Sequence, residues 1–132
     1  MILRDEFYHV TKHGISNGLL QTTLRFDPAH RIFEGHFPGQ PVVPGVCMMQ
    51  IAKELVEAYV LSAYAPGPGR RTRLVRADSA KFLTIIDPRG TPTVHADIQT
   101  SPGEEGEINV VARFYNEATT YFKLTAVLKI SG

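Results

Sequence analysis

Residues 44–64 read PGVCMMQIAKELVEAYVLSAY. From Val46 to Tyr64 there is neither proline nor glycine, and Met, Ala, Leu, Lys and Glu are good helix formers. The stretch predicts one long helix. Pro44-Gly45 stands at its start and APGPG, residues 65–69, ends it, since proline suits a first helical turn and cannot continue a helix. Apolar side chains, among them Val46, Met49, Ile51, Leu55, Val56 and Val60, spread around most of its circumference. A helix of that kind is normally buried on several sides. Gln50, Lys53, Glu54 and Glu57 recur at spacings of three and four as a single polar stripe. They read as the wet side of the helix, and they also make it a poor transmembrane span.

Outside this helix the pattern is that of strands. Residues 7–16 and 19–26 flank Asn17-Gly18, and Asn-Gly tolerates the positive φ that a tight hairpin turn needs. Leu20, Thr22, Leu24 and Phe26 fall on one face of the second arm. Beyond residue 70, strands are expected over 73–84, 93–100, 108–115 and 119–130, separated by Asp87-Pro88-Arg89-Gly90 and Ser101-Pro102-Gly103. The last two alternate cleanly, with Ile108, Val110, Ala112 and Phe114 on one side of the first. One buried helix and about five strands joined by short turns imply an α+β protein, an antiparallel sheet curled around the helix.

Composition removes several function classes. The chain has 132 residues, enough for one domain to bury a core unaided. Fourteen Lys and Arg against thirteen Asp and Glu leave a net charge of +1, which gives no support to a nucleic-acid binder or a polybasic membrane protein. Cys47 is the sole cysteine, so no internal disulfide can form. Residues 1–10, MILRDEFYHV, carry acids where a signal peptide needs an apolar core. A cytoplasmic protein is expected. His9, His13, His30 and His95 show no metal-ligand spacing, and neither metal nor cofactor is expected.

The chemistry is concentrated in GHFPGQPVVPGV, residues 35–46. Here His36 sits in a loop stiffened by three prolines, and that loop delivers the chain to the N-terminus of the buried helix. Free amides at a helix N-terminus can donate to an oxygen gaining negative charge. Gly45 would let a ligand approach the backbone. A base beside such an oxyanion site is what proton abstraction next to a carbonyl requires. The residues alone also allow a loop built for chain reversal, with His36 solvated or capping.

The same run, GHFPGQPVVPGV followed by a mainly apolar helix, resembles the 3-hydroxyacyl-[acyl-carrier-protein] dehydratases of the hot-dog superfamily. Lys81-Phe82-Leu83 and Asp87-Pro88 are similar to a further strand and turn of that family, and the likeness spans roughly residues 25–130. It implies a single hot-dog domain over residues 1–132, a long helix wrapped by an antiparallel sheet. It further implies homodimers or multiples of them, with active sites between subunits, and a partner in acyl-carrier protein bearing an acyl-phosphopantetheine thioester. By that resemblance His36 is the catalytic base, the Gly45 and Val46 amides polarise the thioester carbonyl, and Phe37 contacts substrate. The family's catalytic carboxylate, Glu or Asp, falls at Gln50.

A carboxamide has no proton to give, although it can hold a hydroxyl or a water by hydrogen bonds. Three outcomes therefore stand: a dehydratase in which His36 handles both proton transfers, an impaired subunit paired with a carboxylate-bearing homologue, or a hot-dog thioesterase whose Gln50 positions water. Glu54 is one turn further on and is in reach of the same cleft. Met48 and Met49 either pack core or line an acyl tunnel. Cys47 reads as a small buried hydrophobe rather than an activated thiol. Arg70, Arg71 and Arg73 form a positive cluster, either a solvated strand end or a dock for an acidic carrier protein.

Overall fold

A computed structural model describes residues 2–35, 39–64 and 69–131. The first hairpin pairs β1 (Tyr8–Ser16) with β2 (Leu19–Phe26) around Asn17 and Gly18, whose φ values of 50° and 77° supply the turn. A single helical turn, α1 (Ile32–Gly35), follows, and then the long helix α2 (Gly45–Tyr64). Four strands complete the chain: β3 (Arg71–Phe82), β4 (Thr93–Pro102), β5 (Glu107–Asn116) and β6 (Thr119–Ser131).

All six strands form one antiparallel sheet in the order β1-β2-β4-β5-β6-β3. Alternation decides which face each strand turns inward. On β5, Ile108, Val110, Ala112 and Phe114 are buried while Asn109, Val111 and Arg113 are exposed. These inward residues form one core with Cys47, Met48, Ile51, Leu55 and Val60 of α2, so the sheet curls around the helix as expected. There are six strands, one for each of the six segments read from the sequence, both arms of the first hairpin among them. Among the described residues no helix is long and apolar enough to cross a membrane.

The expected wet stripe on α2 is not solvated. Lys53, Glu54 and Glu57 are all half-buried. Glu57 accepts hydrogen bonds from the Thr72 amide (2.9 Å) and hydroxyl (2.7 Å), which staples the helix to the start of β3. Burial acts to raise the Glu57 pKa. The two Thr72 bonds, with the nearby charges of Lys53 and Arg71, outweigh it and hold the carboxyl below its ordinary value. A depressed carboxyl contributes stability above its unfolded pKa of about 4.3, and that contribution is lost as pH falls through the folded value. Below about pH 4.3 the melting temperature should therefore fall more steeply for the native chain than for Glu57→Gln. Parallel melting curves of the two proteins across roughly pH 3–7 check this.

Candidate active site

The helix start is tied down from two sides. Val43 donates its amide to the Ile86 carbonyl at 2.9 Å, and Arg89 reaches the Gly39 carbonyl at 3.3 Å while bonding Asp87 through its side chain. The turn after β3 thus holds the segment that leads into α2. The Pro44 carbonyl accepts the amides of Cys47 (3.0 Å) and Met48 (3.2 Å). The amides of Gly45 and Val46 precede those bonds and have no partner among the described residues. Amides in such a position are able to donate to an oxygen that gains charge.

Gly45 is needed for a reason other than ligand approach. A Cβ there would lie 2.9 Å from Cε1 of Phe82, whose ring is stacked on Phe122 at 5.0 Å. The aromatic pair covers this side of the helix start, and the bare backbone of Gly45 gives the Phe82 ring its seat. The ring remains half-exposed and, with Leu83 and Ile85, borders a shallow cavity of about 250 Å³ beside Val42–Gly45.

Gln50 lies one and a half turns further along α2. It is half-buried and lines an almost wholly apolar cavity of about 210 Å³ together with Val46, Met49, Val56, Leu74 and Val110. Its Nε2 donates to Glu54 Oε2 at 2.8 Å. The same Glu54 oxygen accepts the Leu3 amide at 2.8 Å, and Oε1 accepts the Arg4 amide at 2.9 Å and the Tyr8 hydroxyl at 3.0 Å. Tyr8 is fully buried. Burial, followed by the charge and hydrogen bond of Glu54, pushes its phenol far above the ordinary range, so it stays a donor. Glu54 is thus the hub of a network that joins α2 to residues some fifty positions away in the chain, beyond the reach of any local pattern.

His36 and Phe37 lie outside the described residues. The described histidines are occupied locally or on strands. His30 Nδ1 accepts the Ile32 amide at 3.1 Å, His95 pairs with the Thr23 hydroxyl, and His9 and His13 are on β1. Cys47 is buried, and burial pushes its thiol up, away from the reactive thiolate. Met48 packs core, whereas Met49 borders the cavity. Arg70, Arg71 and Arg73 are exposed. Their end of β3 is opposite Glu57, about 18 Å along the helix axis from Gly45 at 1.5 Å per residue.

Residues 12–123 match the ApeI-like family, described as ApeI dehydratase. The chain belongs to the ApeI-like dehydratase family. It is 30% identical over 123 residues to the 3-hydroxyacyl-[acyl-carrier-protein] dehydratase FabZ of Rickettsia conorii, across 84% of this chain and 85% of that one. For FabZ of Rickettsia bellii the identity is 27% over 128 residues, across 97% and 86%. Among solved structures, the dehydratase heterocomplex ApeI:P from Xenorhabdus doucetiae superimposes with a TM-score of 0.66 at 21% identity, over 91% of this chain and 96% of that one. A thioesterase from Haemophilus influenzae does so at 0.65 and 12% identity, over 95% and 78%. These two establish the hot-dog fold for an ApeI-like chain, and the sequence matches establish its place among the dehydratases.

Proposed function

We propose that this chain dehydrates 3-hydroxyacyl thioesters of acyl-carrier protein, in fatty-acid synthesis or a related polyene or polyketide route, and does so in the cytoplasm. The family match carries the proposal, because residues 12–123 contain the whole GHFPGQPVVPGV run and the helix that bears Gln50. His36 takes the C2 proton of the substrate. The thioester oxygen gains charge as that bond breaks, and the Gly45 and Val46 amides donate to it. The electron pair then forms the C2–C3 double bond and the C3–O bond breaks. Gln50 holds the departing hydroxyl but cannot protonate it, so the proton taken by His36 goes on to that oxygen, which leaves as water. Phe37 contacts the substrate beside His36, and the apolar cavity bordered by Met49 accepts the acyl chain.

A second chain fits the exposed side of the fold. Strand β3 is an edge 12 residues long that pairs with β6 alone among the described strands. Beside it Val46, Leu74, Phe82, Leu83 and Ile85 are exposed apolar groups. Long open edges with apolar neighbours are normally covered. The occupant is a second copy or a homologous subunit. The latter gains support from Gln50, which leaves this chain without a carboxylate donor, and from the existence of a dehydratase heterocomplex with the same fold.

The deciding experiment incubates purified protein with a 3-hydroxyacyl-carrier protein, alone and with any co-encoded homologue, and follows the mass of the carrier-bound chain. Loss of one water is the expected result. Release of free acid would instead make the chain a thioesterase, with Gln50 positioning the attacking water. No change in either mixture would overturn the assignment. For the carrier protein, charge reversal of Arg70, Arg71 and Arg73 to Glu should slow association while folding is kept, since these side chains are exposed. The effect should shrink with added salt, because screening acts over about 8–10 Å. Unchanged association at low salt would remove this cluster as the dock.

A further inference from the structure

The pairing of the strands gathers positive charge into one row on the outer face of the sheet. Lys81 of β3 is directly opposite Lys123 of β6, and Lys123 is directly opposite Arg113 of β5. All three are exposed, and the row turns outward because Ala112, Phe114, Phe122 and Leu124 beside it are buried. Like charges set directly opposite across strands repel and destabilise a sheet. Neither lysine has an ion pair among the described residues. The row's one carboxylate, Asp97, is opposite Arg113 on β4 but accepts the Tyr115 hydroxyl at 3.1 Å, and the Arg113 guanidinium lies over the Tyr115 ring at 4.0 Å. With Asp97, Val111 and Thr125 the three cations line a depression of about 410 Å³, in which Val111 offers an exposed apolar group. We infer that this row holds the acidic face of acyl-carrier protein, with carboxylates of the carrier set against Lys81, Lys123 and Arg113. The inference rests on the chain acting on carrier-bound substrates, and it adds where the carrier sits.

The row lies at the end of the sheet where α2 begins. Lys81 directly precedes Phe82, whose ring packs against Gly45. At the other end of the same face Arg73 is opposite Lys129, and Lys129 is opposite Glu107. Glu104 and Glu105 are exposed in the adjoining turn between β4 and β5, so acids of the same chain offset the arginine cluster. Lys123 and Lys129 are six positions apart on β6, which is about 20 Å at the rise of a strand. At low salt Arg70, Arg71 and Arg73 steer an approaching carrier from that distance. The row, desolvated on contact, holds it.

Lys123→Glu tests this, in whichever assembly the chain forms, because it should move stability and binding in opposite directions. The new carboxylate would stand between Lys81 and Arg113. Two repulsions become attractions, and the melting temperature should rise. Purified acyl-carrier protein bearing a 3-hydroxyacyl chain should leave the variant about tenfold faster than it leaves the native chain, since an acid now faces its own acids. Lys123→Arg keeps the charge and should retain the native dissociation rate. Reversal of Arg70, Arg71 and Arg73 to Glu should slow association and leave dissociation as it is. A row that serves only the sheet would give a raised melting temperature with native carrier binding. That result would overturn the inference and leave the carrier-bound substrate in place. Faster dissociation from the arginine variant but not from Lys123→Glu would overturn it equally. A native chain that binds no carrier at all would defeat the carrier-bound substrate itself, and the row with it. If Lys123→Glu does not fold, Lys81→Glu on the edge strand carries the same measurement of dissociation.

Discussion

Gln50→Glu is expected to raise dehydration by about 10²-fold, the lower end of what a general acid contributes, and only over a limited range of pH. The new carboxyl would stand where Gln50 Nε2 now lies 2.8 Å from Glu54 Oε2. Two carboxylates at that separation cannot both ionise, so the pair holds one proton and its second ionisation is raised well above the ordinary carboxyl value. That shared proton is the one the leaving hydroxyl lacks in the native chain. As pH rises through the raised value the proton is lost, and the gain should go with it. The same change has a cost in stability with a definite sign. A carboxyl whose folded pKa is raised destabilises the fold progressively as pH climbs from the unfolded value to the folded one, and the penalty is absent below the unfolded value. On the variant the melting temperature should therefore fall as pH rises towards the raised value and then level off, while the pH–rate profile should decline above that value. A variant that gains no dehydration at any pH, while native Gln50 is shown to contact substrate, would sink the account of the missing acid.

His36→Ala should remove dehydration, a loss of at least the 10²–10⁴-fold that a positioned base supplies, to the detection limit of the carrier-mass assay. His30→Ala is the matched control. Its Nδ1 accepts the Ile32 amide, so its replacement should cost about 1 kcal/mol in stability, the net worth of an ordinary hydrogen bond, and leave turnover intact. Substantial residual dehydration in His36→Ala would move the base elsewhere, and the first candidates would be the groups bordering the two cavities at the start of α2.

The long helix and the strand segments were legible because each rests on local chemistry. Asn17-Gly18 carries its own turn, and Pro44-Gly45 marks the helix start that the structure places at Gly45. The alternation of β5 and β6 reports burial directly, since one face of each is core. Where contacts join distant residues, sequence patterns fall silent. Glu54 and Glu57 look like any solvated stripe until the Leu3 and Arg4 amides and Thr72 arrive as partners from far along the chain. Gly45 reads as room for a ligand, and nothing in the sequence announces the Phe82 ring that packs beside it. Strand β3 gave the weakest signal for a related reason. As an edge it has few buried positions, so its alternation is faint, and the pattern points to residue 73 where the strand begins at Arg71.

The strand order also governs how this protein must be made. Strand β3 is synthesised before β4, β5 and β6, yet its one described neighbour in the sheet is β6. While β4 and β5 are still emerging from the ribosome, β3 has nothing to pair with and α2 lacks the wall that β5 and β6 give its apolar surface. Pairings between distant segments are slow to form, and unpaired edges are prone to associate with the wrong chain. A nascent chain stalled before residue 119 should therefore bind chaperones avidly, while one that has released β6 should lose that affinity abruptly.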